Sequence, residues 1–245
     1  MQTRSTMRKA RIIRTDNYIL SLSDFIERIE FLDISDKQSN FLFRGQSVKG
    51  NLLPSIARND PKLDTTDLEK NQIANLRLLG ASYLEDSSSN DLDLLVLAQH
   101  FGLKTRLLDW SSNPLVALWF ACNNTEDRDV YVYALDSDAF LDRDIYSKDP
   151  FDIGKTSVLQ PRLNNERIIA QHGWFTLHRY ARKNSKFVAL EKNKEIKKFI
   201  TEFTISSKSK QDIVASLDRY GINSRTLFPD LEGLCKYLNW REKLA

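Results

Sequence analysis

The stretch that decides the fold is LVLAQHFGLKTRLLDWSSNPLVALWFAC, Leu95 to Cys122. It opens as an amphipathic helix, with Leu94, Leu97 and Phe101 at helical spacing. Gly102 stands where a helix C-cap usually sits. A short extended run, Thr105 to Trp110, follows. Ser111-Ser112-Asn113-Pro114 then reads as a helix start, with Asn113 as N-cap and Pro114 in the first turn. The next helix, Leu115 to Cys122, is apolar nearly all round, which predicts burial. Polar groups set among so much apolar surface need partners. Gln99, His100, Thr105, Arg106, Asp109 and Ser111 are therefore either a structural network or a site.

The chain extends outward from this stretch in both directions. Residues 1–16 are basic and aperiodic and read as an arm; 17–245 read as one domain. Ser21 to Asp33 predicts a helix opened by Ser21 and Asp24. Asn40 to Phe43 predicts a strand ending at Arg44-Gly45. Thr66 opens a helix with Ile73, Leu76, Leu79 and Tyr83 as its stripe. Val130 to Leu135 is the clearest strand, and Asp136 to Pro161 has no period and reads as a surface excursion. Glu166 to Ala170, Gly173 to Leu177, Phe187 to Leu190 and Phe199 to Ile205 predict further strands. Ser209 to Tyr220 and Pro229 to Leu238 predict helices. Helices come first and strands later, so the expected fold is α+β, a single domain whose mixed or antiparallel sheet is flanked by helices.

Composition excludes several classes. With 13 Phe, 8 Tyr and 4 Trp in 245 residues a real core is available. A formal charge of +3 argues little either way, where a nucleic-acid reader more usually shows a strong, clustered basic face. Two Cys and three His offer no metal-ligand spacing, so no metal is expected. Cys122 and Cys235 lie in apolar helical patterns and read as buried thiols. No apolar run reaches the roughly 20 residues that span a bilayer, and the N-terminus lacks a signal-type apolar core. The expectation is a cytoplasmic protein with no membrane contact.

Individual side chains carry competing readings. Arg44, between an aromatic and a glycine, suits a phosphate or carboxylate, or pairs structurally with a buried Asp109. Asp109 lies between Leu108 and Trp110, which predicts a buried, partnered carboxylate. Ser111 at a helix start suits an anion or simple capping. His100 is a candidate base or a satisfied partner. Arg167 and Gln171, four apart on the presumed strand, face one side.

Four blocks carry a family resemblance: Phe43-Arg44-Gly45 followed by Gln46; Gln99-His100-Phe101-Gly102 with Thr105-Arg106-Leu107-Leu108-Asp109-Trp110 and Asn113-Pro114; Arg167, Gln171, Gly173 and Phe175; and Thr226 to Leu231. They resemble the FRG domain, a bacterial family named for its Phe/Tyr-Arg-Gly motif, over roughly residues 41–238. Lys104 stands where the family usually has proline. The order strand-Arg-Gly, strand-Ser-helix, strand-turn is also similar to the Arg–Ser–Glu layout of ADP-ribosyltransferases, with a split sheet. That layout implies NAD as a substrate, with no cofactor required. It puts Arg44 and Ser111 in the first two places and Arg167, or Glu166 beside it, in the third. The implied ligand set is Arg44, Gln46, Gln99, Thr105, Arg106, Ser111 and Gln171, with His100, Arg167 and Glu166 as catalytic candidates. By resemblance the setting is a toxin or effector in phage defence or on mobile elements, acting on a protein or nucleic-acid acceptor. The rival readings are a non-catalytic interaction module and a nucleic-acid-acting enzyme.

Overall fold

The computed structural model describes residues 17–35, 40–84, 90–162 and 165–244; the basic arm expected over 1–16 lies outside them. The chain runs β1 (Tyr18–Ile19), α1 (Leu22–Ser35), β2 (Phe41–Gln46), α2 (Thr66–Leu79), α3 (Asp91–His100), β3 (Leu107–Ser111), α4 (Pro114–Cys122) and β4 (Val130–Asp136). It continues through β5 (Ser157–Leu159), α5 (Glu166–Ala170), β6 (Gly173–Leu177), β7 (Tyr180–Ala181), β8 (Lys186–Phe187), β9 (Ile200–Ile205), α6 (Lys210–Arg219), α7 (Ser224–Leu227) and α8 (Leu231–Arg241). The α+β class is as the sequence predicts.

One mixed seven-stranded sheet, in the order β1-β9-β4-β2-β3-β6-β5, organises these elements. Among the described residues its strand pairs are antiparallel except β1 with β9, and an isolated parallel bridge joins Leu141 to Val158 of β5. Strand alternation sends Phe43, Val132, Ala134 and Phe203 toward α1, α4 and α6, where they join Phe25, Val116 and Leu217. On the other half of the sheet, Leu107, Phe175 and Leu177 pack with Ile73 and Leu95 of α2 and α3. The intervening positions, Leu42, Leu108, Trp110, Tyr133 and Val158, fill a third cluster with Leu190 and Ile196. Two groups of helices thus sit over two halves of one sheet.

The halves meet where the sheet is weakest. β2 pairs with β4 over six residues but with β3 only at Phe43 and Ser111. Beyond that pair the two strands part. Gly45 sits at this opening because α4 lies directly on it. A Cβ there would fall 1.8 Å from the Ala117 carbonyl oxygen and 2.6 Å from the Ala121 nitrogen. Local signals fix α4 itself: Asn113 Oδ1 accepts from the Leu115 N–H at 2.9 Å, and Pro114 occupies the first turn. Gly102, at φ +92°, lets the chain leave α3 in a left-handed conformation.

Several sequence expectations are corrected. Residues 166–170 form the short helix α5, not a strand, because Asn165 Oδ1 caps the Arg167 N–H at 2.9 Å. Arg44 and Gly45 lie inside β2, not after it. Residues 136–161 are no surface excursion: they supply edge strand β5 and buried Phe140, Ile145, Phe151 and Val158. Leu79, Tyr83 and Phe101 are solvent-exposed, so the predicted stripes of α2 and α3 end before them. Phe187 to Leu190 is strand only at Lys186–Phe187 and turns 3-10 from Leu190. Cys235 is exposed on α8 while Cys122 is buried, its thiol pushed up to about 12 by burial.

Candidate functional site

The opening between β2 and β3 is a cavity of about 330 Å³. Its walls come from separate elements: Arg44 of β2, Gln99 and His100 of α3, Asp109 and Ser111 of β3, Phe120 of α4, Arg167 of α5, then Gln171 and Phe228. Side chains from Arg44 to Gln171, more than a hundred positions apart in sequence, share one concave surface.

Arg44 bridges the split. Alternation starts it on the same side as Leu42 and Gln46, and its guanidinium reaches into the gap. Nη1 donates to the Asp109 carbonyl at 2.8 Å, and Nε donates to Gln46 Oε1 at 3.2 Å. Nη1 also stands 3.7 Å from Asp109 Oδ2. The guanidinium therefore satisfies a strand carbonyl that has lost its ladder partner. Its Nη2 makes no hydrogen bond among the described residues. Burial pulls Arg44 down to about 10, the Asp109 carboxylate opposes this, and the group stays charged at neutral pH. Gln46 lies outside the cavity: it holds Arg44, and its Nε2 donates to the Val48 and Gly50 carbonyls.

Asp109 is not buried, contrary to the sequence reading; its side chain is 60 % exposed. Leu108 and Trp110 face the third cluster, so the period of two turns Asp109 toward the cavity. Gln99 Nε2 donates to Asp109 Oδ1 at 2.5 Å, and Gln99 Oε1 accepts from the Thr105 hydroxyl. Thr105 is fully buried, its hydroxyl also accepts from the Leu107 N–H at 3.1 Å, and it does not line the cavity. Arg106 is also fully buried and absent from the cavity. Nη2 meets Glu69 Oε1 at 2.9 Å and Nε meets Oε2 at 3.1 Å, so the sequence assigned a ligand role to a core ion pair.

His100 is half-buried, and neither ring nitrogen hydrogen-bonds among the described residues. Burial first, then Arg167, hold it below its ordinary value against Asp109 and Asp230, so it is mainly neutral near pH 7. Arg167 donates through Nε and Nη2 to Asp230 Oδ2 and lies 5.4 Å from the Phe228 ring centre. Asp230 caps α8 by accepting from the Gly233 N–H at 2.7 Å. That bond and the Arg167 contact hold its carboxyl below the usual range. Ser111 Oγ donates to the Gln171 carbonyl at 2.8 Å and accepts from the Asn113 N–H at 3.0 Å, which commits its proton to the scaffold. Gln171 Nε2 donates to the Leu227 carbonyl at 3.0 Å. Glu166 is exposed and does not line the cavity, because helical geometry turns it away from Arg167's side.

Sequence reasoning missed Phe120, Phe228 and Asp230. The first is hidden in an apolar run. The other two lie in the block Thr226 to Leu231, whose spacing carried no chemical signal of its own. Among the described residues no group of three or more His, Cys, Asp or Glu is placed to hold a metal ion, and no helix is long and apolar enough to cross a membrane. No curated protein and no solved structure matches the chain. Residues 39–130, which contain β2, α3, β3 and α4, match the family model described as the FRG domain, and the Phe43-Arg44-Gly45 strand within that match borders this cavity.

Proposed function

We propose that this FRG domain binds a phosphate-bearing nucleotide in the cavity between β2 and β3, with NAD as the candidate substrate of ADP-ribosyltransferase-type chemistry. The observation that carries the reading is Arg44: a charged, pre-oriented guanidinium at a concave surface, with one terminal nitrogen unpartnered. Arg167, paired with Asp230, adds a second guanidinium to the lining. In such chemistry nicotinamide departs and positive charge develops at the ribose C1′. A carboxylate beside that carbon stabilises it. Asp109 takes that role in preference to Glu166, because it lines the cavity and Glu166 does not. Neutral His100 can take a proton from the attacking group of a protein or nucleic-acid acceptor. A cytoplasmic effector or toxin goes with this reading by family resemblance.

A second reading, a non-catalytic interaction module, draws on the extent of internal pairing: Arg167 with Asp230, Ser111 with Gln171, Gln99 with Asp109. Thermal shift and calorimetry with NAD and ADP-ribose separate the two. A nucleotide at 100 times its Kd stabilises by about 2.7 kcal/mol. Arg44→Lys should weaken binding, since a point charge cannot reproduce a planar fork. His100→Gln should spare binding and abolish NAD consumption. Wild-type protein that binds neither nucleotide sinks the first reading and leaves the second.

A further inference from the structure

A second cavity, of about 340 Å³, lies on the other side of Phe120 and Phe228, which line both. The two rings meet edge to face at 6.1 Å and form the partition. Phe228 has the Arg167 guanidinium 5.4 Å from its centre and Lys236 Nζ 5.9 Å from it. The second chamber differs in character from the first. Trp119, Tyr237 and Trp240 join the two phenylalanines in its walls. Asn123 and Asn239 stand at its edge, both exposed, and neither side-chain amide makes a hydrogen bond among the described residues.

We infer that this chamber is an adenine subsite, and that with the first cavity it forms one bipartite site for an adenine nucleotide. The inference rests on the phosphate reading for the role of the first cavity, while the chamber's own chemistry stands apart from it. Flat aromatic walls take a planar heteroaromatic ring by stacking. A carboxamide offers a donor and an acceptor side by side, the pattern that pairs with adenine N6 and N7. Asn123 and Asn239 present two such groups beside the aromatic walls, and Asp218, Asn223, Ser224 and Lys236 supply the remaining polar lining. The nucleotide then crosses the Phe120–Phe228 partition, with its base among the rings and its phosphates toward Arg167 and Arg44.

The test is equilibrium binding of ADP, adenosine and inorganic pyrophosphate to the whole chain, to Tyr237→Ala and to Asn239→Ala. Asn239 is exposed, so its variant keeps the fold if Tyr237→Ala does not. ADP should bind at least about fivefold more tightly than pyrophosphate, from the worth of one stacked base. Both substitutions should bring ADP down to the pyrophosphate affinity and leave pyrophosphate itself unmoved. ADP and pyrophosphate binding equally, with no effect of either substitution, overturns the adenine subsite and leaves the phosphate reading standing. Adenosine binding that Asn239→Ala abolishes, with no pyrophosphate binding, upholds the chamber and removes the phosphate reading. No binding of any of the three removes both.

Discussion

Breaking the buried pair between Glu69 and Arg106 tests whether Arg106 belongs to the scaffold or to a ligand. Their side chains are 1 % and 0 % exposed. Glu69 receives four hydrogen bonds: from Arg106 Nε at 3.1 Å and Nη2 at 2.9 Å, from the Arg106 backbone N–H at 3.1 Å, and from the Thr65 hydroxyl at 2.7 Å. Without the carboxylate, Arg106 keeps only the Pro150 and Phe151 carbonyls at 3.4 and 3.3 Å, Thr66 Oγ1 at 3.2 Å, and the Phe151 ring 4.8 Å away. None of these carries negative charge, so the guanidinium stays buried without a counter-ion. Glu69→Ala should therefore cost about 3–5 kcal/mol, the usual range for orphaning one partner of a buried pair. That is a large share of the roughly 5–15 kcal/mol that holds a domain together. Glu69→Leu combined with Arg106→Met removes both charges and should recover most of the loss. Urea unfolding followed by linear extrapolation gives each value. A Glu69→Ala loss under about 1 kcal/mol would refute the burial argument, given that exposed pairs are worth that little. So would a double variant less stable than the single one. Nucleotide affinity of the folded fraction should stay unchanged throughout.

Gly45→Ala should destabilise by about 1–3 kcal/mol or more, since its Cβ meets α4 backbone and not a mobile side-chain end; an unchanged urea midpoint would mean α4 can move away. Burial, then Arg44 and Arg106, lower His178 from 6.5 to about 3 in the folded state, so its contribution is complete above pH 6.5 and falls away toward pH 3. Stability should drop there by up to about 1.4 kcal/mol per pH unit, and by one proton's worth less in His178→Phe. Asp109→Ala should cost under about 1 kcal/mol, as its carboxylate is mostly exposed and Arg44 donates to its backbone carbonyl. The same variant should abolish NAD consumption if Asp109 is the carboxylate that acts; full turnover would dismiss it.

Local chemistry was the legible part of this fold. Asn113-Pro114, Gly102 and the β-branched run at Val130 each fix an element through contacts a few residues long, and all three elements form where the sequence puts them. What depends on distant partners was not legible. Arg106 and Asp109 both read as polar residues in an apolar run. Glu69, 37 residues away, takes the first into the core, while strand alternation turns the second out into the cavity. Ile168-Ile169 suggested a strand, and the Asn165 cap outweighed it over a single turn. Cys235 lies in a helical pattern that reads as apolar, yet its position on α8 faces solvent. Arg44, His100, Ser111 and Arg167 gather at one cavity although Arg44 lies inside β2 and Arg167's own element was misread.

The three residues Phe43-Arg44-Gly45 couple the fold to the cavity. Phe43 anchors β2 in the cluster beneath α4 and pairs with Ser111, the last contact before the strands part. Gly45 admits the α4 backbone, which a side chain there would push away. Arg44 then spans the gap that this packing leaves, and the Asp109 carbonyl that would otherwise be orphaned fixes its guanidinium. A group held this way has little rotamer freedom left to lose, so a ligand meeting its open nitrogen pays less for ordering it. The same bond makes Arg44 structural, and a loss of stability in Arg44→Ala alone cannot assign it a role. Arg44→Lys can: the ammonium keeps charge and can still reach one acceptor, so any fall in ligand affinity beyond the fall in stability belongs to the fork.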